Sequence, residues 1–111
     1  MTVVLVVEDS ASLGRLLTFT LTRAGHVAVW AASGEQAVDE AAARPPEVAL
    51  VDLHLGDVTG PDLAEMIRRD HPTTRIVAMS GEAPSAQVRA LFDAFLLKPV
   101  SLDTLLETLR A

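Results

Sequence analysis

The chain has 111 residues, of which 50% are hydrophobic and 22% are charged, with a formal net charge of -6 and no cysteine. That length suits one domain with one core, and the composition favours a packed globule over a disordered chain. The negative charge argues against binding to nucleic acid, which depends on Lys and Arg, and the lack of cysteine excludes disulfides and thiolate metal sites. Because no apolar run of membrane-spanning length and no signal peptide is visible, we predict a soluble, cytoplasmic single domain over residues 1–111 that does not bind a membrane.

Five short apolar runs, evenly spaced along the chain, predict β-strands. They are rich in β-branched residues, and several are apolar on both faces, as expected for a parallel sheet covered on both sides. The runs are VVLVV (3–7), HVAVWA (26–31), EVALV (47–51), RIVAM (75–79) and AFLL (94–97).

Helices are predicted between and after these strands, because apolar residues recur there at helical spacing. Ser33 opens a capping box and Ser101 can cap the last helix, while Gly25 is placed to end the first. The apolar positions of four predicted helices span residues 13–21, 37–42, 63–67 and 102–109. A further candidate helix, at about 84–92, is short and only weakly amphipathic. Alternating strands and helices predict an α/β fold with a doubly wound, five-stranded parallel sheet.

Polar residues follow four of the five strands. Glu8 and Asp9 come after the first strand, Asp52 after the third, Ser80 after the fourth and Lys98 after the fifth. In open α/β sheets, ligands bind at the carboxyl ends of the strands where the strand order reverses. If the order is 2-1-3-4-5, the three acids converge between strands one and three, flanked by the serine and the lysine.

Each of these residues also has a structural interpretation. Glu8 and Asp9 could begin a solvated loop, and Asp9 or Ser10 could cap the first helix. Asp52 could be a turn residue. Ser80 precedes a glycine, as loop serines often do, and lone lysines such as Lys98 are usually exposed. The joint pattern at one rim favours a functional site over five separate explanations.

Three clustered carboxylates repel one another unless a cation neutralises them. An oxygen-only ligand set favours Mg²⁺, with Mn²⁺ as an alternative. The hydroxyl of Ser80 and the ammonium of Lys98 suit the remaining oxygens of a phosphoryl group. Asp52, on the central strand, is the favoured nucleophile because an aspartate can form an acyl phosphate.

The chain resembles a known family, the receiver domain of two-component response regulators, over nearly its whole length. The resemblance lies in the order and spacing of VVEDS, AGHVAVWAASGEQAV, PPEVALVDLHL, GPDLAEMIR, RIVAMSG and FLLKP. It implies a flavodoxin-like receiver fold. It also implies that Asp52 is the phosphoacceptor, that Glu8 and Asp9 position Mg²⁺, and that His54 offers its backbone carbonyl to the metal.

The same resemblance assigns roles on the other side of the site. Ser80 and Lys98 would hold phosphoryl oxygens, and Ser80 would act with Phe95 as the conformational switch. Phe95 could equally be an ordinary core residue. Pro99 follows the lysine as in the family, where the Lys-Pro bond is often cis.

The resemblance implies a signalling switch and not a conventional turnover enzyme. A histidine kinase or a histidine phosphotransfer protein would donate the phosphoryl group, and the output would pass to a downstream protein target or to an output domain missing from this chain. Two alternatives are a phosphorylation-independent interaction module on the same fold and a small metal-dependent phosphatase that uses the same acids.

Two departures from the family pattern carry expectations. Leu55-Gly56 stands where a Met-Pro step is common, so we expect a more flexible loop after Asp52. The stretch from Ser80 to Lys98 is shorter than usual by about one helical turn, roughly 3.6 residues. Helix four is therefore expected to be shortened, displaced or partly unwound, and the usual output surface of the family is expected to be altered.

Overall fold

The computed structural model describes residues 2–110. Residues 1 and 111, the limits of the predicted domain, lie outside the described residues. Ten elements follow one another in the chain: β1 (Val3–Val7), α1 (Ala11–Arg23), β2 (Val27–Ala31), α2 (Gly34–Ala43), β3 (Val48–Asp52), α3 (Gly60–Asp70), β4 (Arg75–Ser80), α4 (Ala86–Arg89), β5 (Ala94–Leu97) and α5 (Leu102–Arg110). No helix among residues 2–110 has the length and apolar character that a bilayer span requires.

The five strands form one parallel sheet in the order β2-β1-β3-β4-β5, which confirms the predicted α/β, doubly wound architecture. The register aligns the carboxyl ends of the inner strands. Val7 pairs with Val51, Asp52 pairs with Met79, and Ser80 pairs with Leu97. Residues that end or directly follow β1, β3, β4 and β5 therefore meet at one edge of the sheet.

A hydrophobic core covers each face of the sheet, because alternate strand residues point to opposite sides. On one face, α1 and α5 pack leucines such as Leu21 and Leu105 against Val6 and Leu50. On the other face, α2 and α3 contribute small and branched residues, among them Ala37, Leu63, Ala64 and Ile67. Each fully buried leucine contributes roughly 1.5–3 kcal/mol, so the two cores fix the sheet that carries the site.

Side-chain caps start the helices that lead away from this edge. Ser10 accepts a hydrogen bond from the Leu13 amide, so Ser10 and not Asp9 caps α1. Ser33 caps α2 and Ser101 caps α5, as predicted from the sequence. Capping by Ser10 leaves the carboxylate of Asp9 available for other contacts.

Helix α4 has only four residues, which confirms the predicted shortening. Its Arg89 lies over the ring of Phe95, with the guanidinium carbon 5.5 Å from the ring centroid. The connection that follows is tied to α3, since Arg68 donates to the carbonyl of Leu91 and pairs with Asp93.

Candidate phosphorylation site

Three carboxylates converge at the carboxyl edge of the sheet. Glu8, Asp9 and Asp52 each place an oxygen within 4.8 Å of the others. Glu8 is 1% exposed and Asp52 is 4% exposed, whereas Asp9 faces solvent. Two buried acids and one exposed acid form an oxygen cluster that is open on one side, an arrangement that fits a hard divalent cation which keeps some of its waters.

Lys98 supplies a positive charge to this cluster. Its Nζ lies 2.7 Å from Glu8 Oε1 and 3.3 Å from Asp52 Oδ2. The Lys98 side chain is 24% exposed, so part of it is shielded from water along with its partners. Its peptide bond to Pro99 is cis.

These contacts divide the protonation states of the two buried acids. Burial raises the pKa of Glu8 to about 7, and the neighbouring Asp52 carboxyl acts in the same direction, against Lys98 and the Ser10 amide. Burial also acts to raise the pKa of Asp52, but hydrogen bonding with Glu8, the His54 amide and the Lys98 charge together hold it below its usual value. Asp52 is thus an ionised carboxylate at neutral pH, as a nucleophile must be.

The Lys98 ammonium stays charged over the same range. Burial works to lower its pKa, but the bonds and charges of Glu8 and Asp52 outweigh that effect and raise it. Removing either acid would leave the half-buried ammonium with one counter-charge fewer, which destabilises the fold.

His54 contacts both sides of the site. Its backbone N–H donates to Asp52 Oδ1 over 3.0 Å, which fixes the orientation of the buried carboxylate. Its imidazole is exposed, and Nε2 lies 3.5 Å from Ser80 Oγ. The predicted role of its backbone carbonyl as a metal ligand stays a prediction.

Ser80 ends β4 and is 2% exposed. Its Oγ accepts a hydrogen bond from the Glu82 amide over 3.2 Å. Ser80 thus ends the strand next to the one that carries Asp52, and its hydroxyl oxygen is bound by the loop that follows. Because a serine hydroxyl has one donor hydrogen and two acceptor lone pairs, Ser80 can accept from Glu82 and still donate its O–H to a phosphoryl oxygen.

Phe95 lies two strands away from Asp52, in β5. It is half-buried and packs against the core on the α2 and α3 face. This position accommodates both the switch role and the structural alternative for Phe95, and the switch role stays a prediction.

Two contacts of the site were not predicted. The Trp30 indole N–H donates to the backbone carbonyl of Glu8 over 2.8 Å, and a Cβ at Gly14 would lie 2.3 Å from Trp30 Nε1. A glycine inside a helix opposite the one tryptophan was the available signal.

Asp57, in the loop after β3, accepts hydrogen bonds from the first amides of α2.

The fold and the site together define a class: a doubly wound α/β domain with an acidic pocket and a lysine at the carboxyl edge of its sheet. The family model for the response regulator receiver domain matches residues 4–110 of this chain. The chain belongs to this family and is a receiver domain of a two-component response regulator.

Individual relatives agree with this assignment. The chain is 35% identical to the transcriptional regulatory protein KdpE of Mycobacterium tuberculosis, over 100% of this chain and 50% of that protein. Its fold is similar to that of the chemotaxis protein CheY4 of Vibrio cholerae, with a TM-score of 0.94, 29% identity, and coverage of 99% of this chain and 97% of that one.

A response regulator of Burkholderia pseudomallei, described with a phosphorylated aspartic acid, a calcium ion and citrate, is 28% identical, with a TM-score of 0.87 and coverage of 96% and 65% of the two chains. The chain spans about half the length of the curated relatives it matches first.

Proposed function

We propose that this receiver domain accepts a phosphoryl group on Asp52 in the presence of Mg²⁺ and acts as a signalling switch. The observation that carries the proposal is the buried Asp52 carboxylate at the end of the central strand, next to Glu8, Asp9 and Lys98. The related Burkholderia protein, described with a phosphorylated aspartic acid and a divalent ion, supports it.

In the proposed reaction, a histidine kinase or a histidine phosphotransfer protein is the donor. An Asp52 oxygen attacks the phosphorus atom, a P–O bond forms, and the P–N bond to the donor imidazole breaks, after which that nitrogen takes up a proton. Lys98 holds a phosphoryl oxygen through its ammonium, and Ser80 through its hydroxyl.

The residues that would hold Mg²⁺ are Glu8, Asp9, Asp52 and the backbone carbonyl of His54. The three carboxylates fit, because they provide clustered oxygen ligands and no softer donor. When bound, the ion neutralises the charge on the phosphoryl oxygens. Mn²⁺ has the same ligand preference and is the alternative ion.

The output is a change in conformation and not product turnover. A new phosphoryl charge beside Lys98 and Ser80 draws the Ser80 hydroxyl away from the Glu82 amide, and Phe95 follows into the space that opens. The signal then passes to a downstream protein or to an output domain outside these residues, in the cytoplasm.

A second candidate function is a phosphorylation-independent interaction module. The single-turn α4 favours it, because the face built by α4, β5 and α5 is altered. A metal-dependent phosphatase using the same acids is the enzymatic alternative, and multiple turnovers on added phosphoesters would support it.

Intact-mass measurement after incubation with phosphoramidate and Mg²⁺ tests the proposal. We expect one added phosphate on the wild type and none on Asp52→Asn, because an amide does not attack phosphorus as a carboxylate does. An unmodified wild type, folded and incubated with Mg²⁺, would favour the passive module.

A further inference from the structure

The loop between β3 and α3, residues 53–59, carries His54 past the site. Its base is closed by the Gly60 amide, which approaches the Leu53 carbonyl at 3.4 Å. A Cβ at Gly60 would lie 2.8 Å from the Leu53 Cα, so only glycine permits this closure. Further along, Gly56 has open space where its side chain would be, so position 56 itself contributes no side-chain packing. Its neighbours Leu55 and Val58 are partly buried against the core on the α2 and α3 face.

Asp57 ties the middle of this loop to another helix. Its Oδ1 accepts from the Gly34 amide over 2.9 Å, and its Oδ2 accepts from the Glu35 amide over 3.0 Å. These are the first two amides of α2, which have no partner inside the helix. The two bonds lower the pKa of Asp57, so its carboxylate stays ionised opposite the positive end of the helix.

The neighbouring residue makes the approach close. A Cβ at Gly34 would lie 2.2 Å from Val58 Cγ2, so a larger residue at position 34 would push the loop away. The start of α2, at Gly34 and Glu35, is thus in close contact with Asp57 and Val58, which lie 22 to 24 residues further along the chain.

We infer that Asp57 is a positioning residue: its bonds to the α2 N-terminus hold the loop so that the His54 backbone is presented to a divalent ion and to Asp52. The inference rests on the proposed function. His54 lies three residues before Asp57, and its N–H already orients Asp52. When Asp57 is held by α2, the backbone of Leu55 and Gly56 has fewer accessible conformations, and the position of His54 varies less.

The more flexible loop expected from Leu55-Gly56 stays a prediction, and the Asp57 bonds to α2 are a restraint on that loop which the local sequence does not predict. A proline restrains a backbone through its ring, whereas Asp57 restrains it through a contact with another helix. In this chain the distant carboxylate takes the place of local stiffness.

A purely structural role for Asp57 as a cap of α2 has a matched control. Ser33 already caps α2, accepting from the Gln36 amide over 3.1 Å. Ser33→Ala removes a cap of the same helix and leaves the loop contact intact. Asp57→Ala removes the loop contact and leaves the local cap.

The experiment measures Mg²⁺ affinity by isothermal titration, and amide hydrogen exchange of residues 54–59 without metal, for the wild type and both variants. We expect Asp57→Ala to weaken Mg²⁺ binding about tenfold, the lower end of the effects of outer-shell groups. We also expect the loop amides to exchange about tenfold faster than in the wild type, because the loop opens more often. Ser33→Ala should leave the Mg²⁺ affinity within about twofold of the wild-type value, because its defect lies in α2.

A second measurement distinguishes a positioning role of Asp57 from a general loss of structure. Phosphorylation of Asp57→Ala by phosphoramidate should return to the wild-type extent once Mg²⁺ is raised well above its new Kd. If Asp57→Ala does not fold, Asp57→Asn, which keeps one acceptor oxygen, should show the same weakening in smaller degree.

Unchanged Mg²⁺ affinity in folded Asp57→Ala, or equal weakening in Ser33→Ala, would overturn the positioning role while leaving the proposed function intact. A wild type that binds no Mg²⁺ and takes up no phosphate would instead overturn the proposed function, and the positioning role with it.

Discussion

The ammonium of Lys98 lies 2.7 Å from the buried carboxylate of Glu8, ninety residues away in the chain. Lys98 is also the only lysine of the 111 residues. Lys98 contacts the carboxylates of Glu8 and Asp52, which are also two of the three acids that would hold a divalent ion. Changes in the charge of Lys98 or in the protonation of Glu8 should therefore alter the Mg²⁺ affinity, which can be measured.

Replacing Lys98 with methionine keeps most of the aliphatic stem and removes the charge. Without Mg²⁺ we expect the free energy of unfolding at pH 8 to fall by about 3 kcal/mol, since two buried acids lose their counter-charge. Mg²⁺ should bind roughly tenfold more tightly, because one competing cation is gone. Thermal unfolding with and without Mg²⁺ measures both effects, with Lys98→Arg as the control that keeps the charge. Equal Mg²⁺ affinity in the methionine variant would show that lysine and metal do not compete.

The raised pKa of Glu8 predicts a pH dependence of metal binding. Glu8 titrates near 7 instead of its ordinary 4.5, so below pH 7 the ion must displace a proton. The Mg²⁺ affinity should rise up to about tenfold per pH unit between about pH 5.5 and 7, then level off near pH 8. In the metal-free fold, the contribution of Glu8 to stability is fully present below about pH 4.5 and is lost as the pH rises through about 7. Titration calorimetry at several pH values checks this, and Glu8→Gln should bind weakly with little pH dependence.

Ser80→Ala tests the contact with the phosphoryl group. Because Ser80 is not among the proposed metal ligands, we expect Mg²⁺ affinity to stay within about twofold of the wild-type value. Binding of beryllofluoride, a phosphoryl mimic, should weaken about tenfold, the effect of losing one hydrogen bond to a charged group. Fluorescence or NMR titration measures both. Ser85→Ala, which removes the α4 cap, is the matched control and should leave both affinities unchanged.

Gly14→Ala tests the packing of Trp30 behind Glu8. The added Cβ would meet the indole at 2.3 Å, so the ring must shift and its bond to the Glu8 carbonyl must lengthen. Overpacking costs about 1–3 kcal/mol, and the better helix propensity of alanine returns up to about 1 kcal/mol. We expect a net loss of about 1 kcal/mol in chemical denaturation, together with altered Trp30 fluorescence. Gly81→Ala has open space around it and should change stability by less than about 0.5 kcal/mol.

Much of the fold followed from local patterns. Apolar runs of four to six residues alternating with helical segments predicted the order of all ten elements. The short interval between Ser80 and Lys98, compared with the family pattern, predicted that α4 is shortened, but its four-residue length came from the structure. The convergence of Glu8, Asp9 and Asp52 followed as well, because residues after parallel strands meet at one edge once the strand order is known.

The sequence alone determined which residues lie at the ends of the strands. It could do so because the spacing of apolar residues and the direction of the chain are both visible in consecutive residues. Only the tertiary structure decided which side chains contact one another. Lys98 bridges Glu8 and Asp52, and the Trp30 indole donates to the Glu8 backbone. Asp57 binds its loop to the start of α2. These contacts join residues 22 to 90 positions apart in the chain, and their distances depend on how helices pack against the sheet. The pKa of Glu8 belongs to the same class, because burial and neighbouring charge arise only when the fold closes around the site.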